Sequence, residues 1–272
     1  MIYSVLADTC VDAWLKASTL LLELPDREAY TVILDIGAPA VLTPENKRVI
    51  EVVDAFLTTR GIDPISTVAG TIFPAAHYRR SGVVGVYTEF PERVYPKIKS
   101  GWGTYAYRLL RRADATGKVI NPLEILVNKI KKQLELPGTL GRAYEANVID
   151  PFLDISLYQA STDANLTLRQ PCLSHLSFKV IQRRTVMLTA LYRSHYYLQR
   201  ALGNLLGLSQ LLLFVANETG LTAGELVCHS SYACLETNAK WKLAEVRALI
   251  GSCRQTSTLS QQSGQSANAS VE

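Results

Sequence analysis

Residues 171–234 read PCLSHLSFKVIQRRTVMLTALYRSHYYLQRALGNLLGLSQLLLFVANETGLTAGELVCHSSYAC. The apolar spacing changes along this stretch, and the changes decide the fold. LSHLSFKV and TVMLTALY largely alternate apolar and polar residues. That period of two predicts a pair of strands joined by the polar turn IQRR. Apolar residues then crowd every side of the chain, which predicts a helix from about Ser194 to Thr219, ended by Gly220. Leu198, Leu202, Leu205, Leu206, Leu212 and Phe214 leave it little polar circumference, so it should be nearly buried. ELVCHSSYAC predicts a further strand.

The flanking sequence alternates in the same way. PENKRVIEVVDAFLTTRG (44–61) predicts a helix, opened by Pro44 and ended by Gly61. NPLEILVNKIKKQLELPG (121–138) predicts another, and NAKWKLAEVRALIG (238–251) a last one. No internal repeat is present. The fold class is α/β (α+β), a large mixed or antiparallel sheet with packed helices. Residues 1–252 read as one domain. Residues 253–272, rich in Ser, Gln and Asn, read as a disordered tail.

The chain has 272 residues, 48% of them hydrophobic, enough for a substantial core. A formal net charge of +4 does not argue for nucleic acid, because no basic stripe interleaves with aromatics. Arg79-Arg80, Arg111-Arg112 and Arg183-Arg184 are scattered pairs. Five cysteines without paired spacing argue against a disulfide framework. Cys228 and Cys234 flank His229, but the spacing fits no zinc pattern, and no metal is expected. The N-terminus lacks a basic start and carries Asp8 and Asp12, so it is a poor signal peptide. The longest apolar run, LLGLSQLLLFVA, is too short to span a bilayer. These features predict a cytoplasmic protein with reduced thiols.

Three places could carry chemistry. Cys172, directly after Pro171, opens a strand; it is either a small core residue or a nucleophile at a strand mouth. Arg193 and Ser194 sit where the second strand is expected to become the helix, and helix N-termini suit phosphate. Asn204 lies in an otherwise apolar segment. Its amide must find partners, either within the helix or on a flat heterocycle.

In this order, Pro171-Cys172, TVMLTALY, Arg193-Ser194, Gly203-Asn204 and Gly224-Glu225 resemble the thymidylate synthase and pyrimidine-nucleotide hydroxymethylase family. GWGTYAYR (101–108) is similar to a further segment of that family. The resemblance implies a thymidylate synthase-like fold and a homodimer formed through a sheet face. It implies a pyrimidine nucleoside monophosphate as substrate and 5,10-methylenetetrahydrofolate as the one-carbon donor. Cys172 would then add to carbon 6 of the ring, and Asn204 would pair with N3–H and O4 of uracil. Trp102 and Tyr105 would line the active site. Arg193, Ser194 and Arg27 would hold the phosphate, with Arg193 also favouring the thiolate.

The chain departs from the family pattern at several positions. Leu173 stands where the family has His. Tyr196 falls on a base-contacting Asp. Cys234 and Glu236 take the places of a His and a Tyr that hold the sugar. Arg142 or Arg169 would have to supply further phosphate contacts, and Glu51 is the nearest general-base candidate. Three functions are expected from this pattern: carbon-5 methylation, carbon-5 hydroxymethylation for modified DNA or nucleosides, and nucleotide binding without catalysis.

Overall fold

The computed structural model describes residues 1–99, 103–113, 116–137, 144–149 and 171–268, with side chains to 257. Six strands form the path of one mixed sheet: β1 (Tyr3–Ala7), β2 (Glu28–Ile36), β9 (Thr222–Cys234), β7 (Thr185–Tyr192), β6 (Leu173–Ile181) and β5 (Tyr144–Asn147), in that spatial order. A short strand β8 (His195–Tyr196) also pairs with β9. β1 runs parallel to β2 and β7 parallel to β9; the other neighbours on the path are antiparallel. β3 (Arg112–Ala113) and β4 (Val119–Ile120) make a small separate ladder.

The 171–234 stretch folds largely as its periods require. β6 and β7 pair antiparallel across a tight turn in which Gln182 (φ 48°) and Arg183 (φ 56°) are left-handed and the Arg184 N–H donates to Ile181 O. The helix begins later than expected. His195-Tyr196 extend the line of β7 and pair with Ala233-Cys234. A π-helical turn (Tyr197–Ala201) then leads into a regular helix, Leu202–Thr219 (α8), capped by left-handed Gly220. Leu202, Leu205, Leu208, Leu211, Leu212 and Phe214 are all at most 1% exposed. Tyr197–Thr219 is long and apolar enough to cross a bilayer, despite the short apolar run in its sequence. Even so, 72% of its most apolar window is buried inside the fold. It is a core helix.

One sheet face carries α8 and the N-terminal helix α1 (Cys10–Glu23). Val32, Leu34, Val186, Leu188, Leu226 and Cys228 point into that side and are fully buried. Trp14 of α1 donates its indole N–H to Tyr197 O at 2.7 Å, which ties α1 to the start of the core helix. Left-handed Thr31 (φ 61°) shifts the alternation of β2, so that Ala29 and Val32 both face inward while Tyr30 is 70% exposed. The opposite sheet face presents Ile33, Met187, Leu191 and Val227, which are half-buried, and Leu6, which is 69% exposed.

α2 (Pro44–Thr58) opens as its sequence predicts, with Pro44 in the first turn and a reciprocal cap between Thr43 and Asn46. α3 (Ile65–Gly70) lies against α8. A Cβ on Gly203 would meet Val68 Cβ at 2.6 Å, so the two helices approach through the bare glycine. α4 (Ala75–Val84), a π-helical segment (Gly85–Val94), α5 (Tyr95–Ile98) and α6 (Tyr105–Leu110) follow, and α7 (Pro122–Glu135) packs against α8 and β5. The last helix, α9, spans Leu243–Asn268, and Cys253 on it is fully buried. The packed unit therefore continues past Ser252, and the segment read as a tail is helical as far as Asn268.

Candidate active site

Cys172 sits immediately before β6, at the end of the sheet that β8 extends. Two local features hold it. The Tyr105 hydroxyl accepts the Cys172 N–H at 3.2 Å and the Leu173 N–H at 3.4 Å. Across from it, the Arg193 N–H donates to Cys172 O at 2.9 Å. The β6–β7 register then slips between Leu173 and His175, leaving Ser174 as a bulge residue. The Ser174 carbonyl accepts the N–H groups of Val148 and Ile149 instead. Bulges re-aim neighbouring side chains, and this one sits two residues from the thiol.

Cys172 is the one half-buried cysteine; Cys10, Cys228, Cys234 and Cys253 are buried. Burial pushes the Cys172 thiol up, while the positive charges of Arg193 and Arg200 pull it down. Arg193 is exposed, yet it folds back on the strand end, its Nε donating to Pro171 O at 3.0 Å. Arg200 is half-buried and pairs with Asp63 at 3.3 Å. Arg200 also acts on Tyr105, whose own ionisation burial pushes up to about 12. Cys172, Tyr105, Arg193 and Arg200 thus form one electrostatic group.

Asn204 is 5% exposed on α8, one turn beyond Arg200. Its Nδ2 lies 3.1 Å from His195 Nε2, and His195 Nδ1 lies 3.0 Å from Ser230 Oγ on β9. The His195 ring stacks on Tyr192, with centroids 4.1 Å apart and planes 2° apart. Tyr192 is in turn within electrostatic reach of Tyr105 and Cys172. The amide group and the thiol group therefore abut through Tyr192.

Glu236, Tyr196, Arg27 and Ser194 fall at the same sheet end, and Glu236 changes role. Glu236 does not offer its carboxylate outward. It accepts the N–H of Leu198 at 3.1 Å and of Gln199 at 2.9 Å, and so fills the free donors at the start of the helix. The dipole-end phosphate site expected beside Arg193-Ser194 is therefore occupied by the chain's own carboxylate. Burial raises the Glu236 pKa, and the backbone N–H groups oppose the rise. Tyr196, 44% exposed, pairs along β9 with Cys234, which lies opposite Glu28 on β2. Arg27 is left-handed (φ 57°) in the turn before β2 and its carbonyl accepts the Leu235 N–H; its Nε is buried without a hydrogen-bond partner among the described residues. Ser194 is half-buried next to Arg193. Glu51 is an exposed residue of α2. Trp102, Arg142 and Arg169 lie outside the described residues.

Sequence reasoning missed Arg200, His195 and Ser230. Arg200 was open to detection, because it precedes Asn204 by four residues and so shares its helix face. His195 and Ser230 meet only through strand pairing, for which a single sequence offers no signal.

A cavity of about 340 Å³ opens between α3, α4 and α8. Phe73, Phe90, Val94 and Ile98 form its apolar walls, His77, Arg79 and Gln210 are among its polar groups, and Thr104 brings its edge next to Tyr105. Among the described residues, no group of three or more His, Cys, Asp or Glu is placed to hold a metal. Comparison with protein-family models finds no match, and comparison with curated proteins finds none either.

Proposed function

We propose that this protein transfers a one-carbon unit to carbon 5 of a uracil nucleotide through a covalent Cys172 adduct, on a thymidylate synthase-like fold. One observation carries the reading: a half-buried thiol at a strand end, with two arginines acting on it and a buried tyrosine holding its backbone. Deprotonated Cys172 adds to carbon 6 of the ring, and the electron pair moves onto carbon 5 and O4. Arg193 and Arg200 stabilise the thiolate as it forms. The amide of Asn204, one turn from Arg200, faces the imide edge of the ring and stabilises the charge on O4. Side chains alone hold the phosphate, those of Arg27, Arg193 and Ser194 at the same sheet end, because Glu236 fills the helix N-terminus.

Methylenetetrahydrofolate supplies the one-carbon unit when bound. The cavity beside Tyr105 fits its chemistry: flat rings suit walls of Phe73, Phe90 and Val94, and an anionic tail suits Arg79. The second sheet face, with half-buried Ile33, Leu191 and Val227 at its centre, is where a second copy packs. A monomer at micromolar concentration by light scattering counts against that pairing.

The deciding assay incubates the protein with labelled methylenetetrahydrofolate and each of dUMP, UMP, dCMP and CMP, and identifies the product by mass. A methylated uracil nucleotide supports the reading, and a hydroxymethylated one makes the chain a hydroxymethylase. Burial's upward push on the Cys172 thiol favours a second reading, a nucleotide-binding protein without turnover. That outcome shows as saturable dUMP binding with no transfer. Transfer by a Cys172→Ala variant overturns the covalent mechanism.

A further inference from the structure

The polar chain Ser230–His195–Asn204 is buried more deeply than binding a base requires. His195 is 1% exposed and Ser230 is fully buried. His195 is clamped between the parallel ring of Tyr192 and the edge of Tyr197, whose centroid is 5.3 Å away. Its hydrogen-bond partners on the two ring nitrogens are Ser230 and Asn204.

We propose that His195, held in one tautomer by Ser230, orients the Asn204 amide and so sets which pyrimidine edge the site accepts. The inference rests on the reading of Asn204 as the base-recognising residue. An amide nitrogen only donates, so His195 Nε2 must be the bare nitrogen and the proton must sit on Nδ1. Ser230 Oγ then accepts from Nδ1. Burial keeps the ring neutral, which this arrangement needs. One hydrogen of Asn204 Nδ2 is committed to His195. The other hydrogen, and Oδ1, remain for a ligand. Together they match a ring edge with a donor and a neighbouring acceptor, as N3–H and O4 of uracil present.

A cytosine edge has the opposite polarity and calls for the amide turned over. Turned over, Oδ1 would face bare Nε2, and two acceptors would oppose each other in a dry interior. Relief comes only if the proton moves to Nε2 and the Ser230 hydroxyl swings to donate to Nδ1. A serine hydroxyl can accept or donate, so Ser230 is the group through which the amide, the tautomer and the base edge are coupled. His195 and Ser230 are positioning residues that touch no substrate.

The test uses the full chain with two readouts. Nitrogen-15 NMR of His195 reports which ring nitrogen carries the proton. Calorimetric titration with dUMP and dCMP gives the binding ratio for the wild type, Ser230→Ala and His195→Gln. We expect the proton on Nδ1 and a preference for dUMP, with the dUMP/dCMP ratio falling on the order of tenfold in each variant. A merely structural role weakens both nucleotides together and leaves the ratio unchanged; that result overturns the proposal while the pyrimidine reading stands. A proton on Nε2 in the wild type overturns the proposal even if neither variant folds. A wild type that binds neither nucleotide overturns the pyrimidine reading and the selectivity with it.

Discussion

The Tyr105 hydroxyl accepts two successive backbone N–H groups, those of Cys172 and Leu173, and so fixes the strand end that carries the thiol. Tyr105 is 7% exposed, so neither N–H has ready access to water in its absence. Tyr105→Phe should therefore cost about 1–3 kcal/mol in urea denaturation, the range for donors left buried without an acceptor. It should also loosen Cys172, read as a changed alkylation rate. A variant as stable as the wild type would show that the hydroxyl does not hold the strand.

Cys172 should react with iodoacetamide ahead of the other four cysteines, because those are buried and Cys172 is half-buried. Burial also raises the thiols of Cys228 and Cys253 to about 12. Arg193 and Arg200 each pull the Cys172 thiol down. Arg193→Ala and Arg200→Ala should each move the midpoint of its alkylation to higher pH, and the double variant should move it further. An unmoved midpoint in both single variants would remove the arginines from the activation of the thiol.

Stability should fall in mild acid because of His195. Burial lowers its pKa to about 3 from an ordinary 6.5. Below 6.5 the unfolded chain takes up a proton that the folded chain refuses, so the stabilisation is present above that value and is lost as pH falls from 6.5 toward 3. At pH 5 the loss from this residue is about 2 kcal/mol. Denaturant titrations at pH 7.5 and 5 should show it, and His195→Gln should flatten the difference.

Gly203 should tolerate no side chain. A Cβ there meets Val68 Cβ at 2.6 Å and Ile65 O at 2.9 Å. Gly203→Ala would have to push α3 away from α8, at about 1–3 kcal/mol. Gly251, with nothing within 4 Å of its Cβ position, is the control: Gly251→Ala should be neutral or stabilising by thermal melt.

Much of the architecture was legible in residues 171–234 because period is a local property. Alternation in LSHLSFKV and TVMLTALY needs only the pleat of a strand, and the all-round apolar surface of residues 202–216 needs only a helix with no solvent face. Caps are also local: Pro44 and Asn121 begin their helices, and Gly220 ends its own, where the sequence places them. Of the candidate site, the residues themselves singled out Cys172, Arg193 and Asn204, and the family resemblance added Tyr105; the fold brings Cys172, Arg193 and the Tyr105 hydroxyl to one sheet end and Asn204 to the adjoining face of α8.

The sequence by itself determined the periods, the caps and the places where polar residues interrupt apolar runs. Tertiary structure alone decided which polar group meets which. The core helix starts at Tyr197 because the carboxylate of Glu236, 38 residues past Leu198, fills its free N–H groups. Asn204 faces His195, and His195 faces Ser230, because β8 and β9 happen to pair in the register His195↔Ala233. Hydrogen-bond partners in a dry interior are chosen by proximity across the sheet, and a one-dimensional period carries no record of that choice.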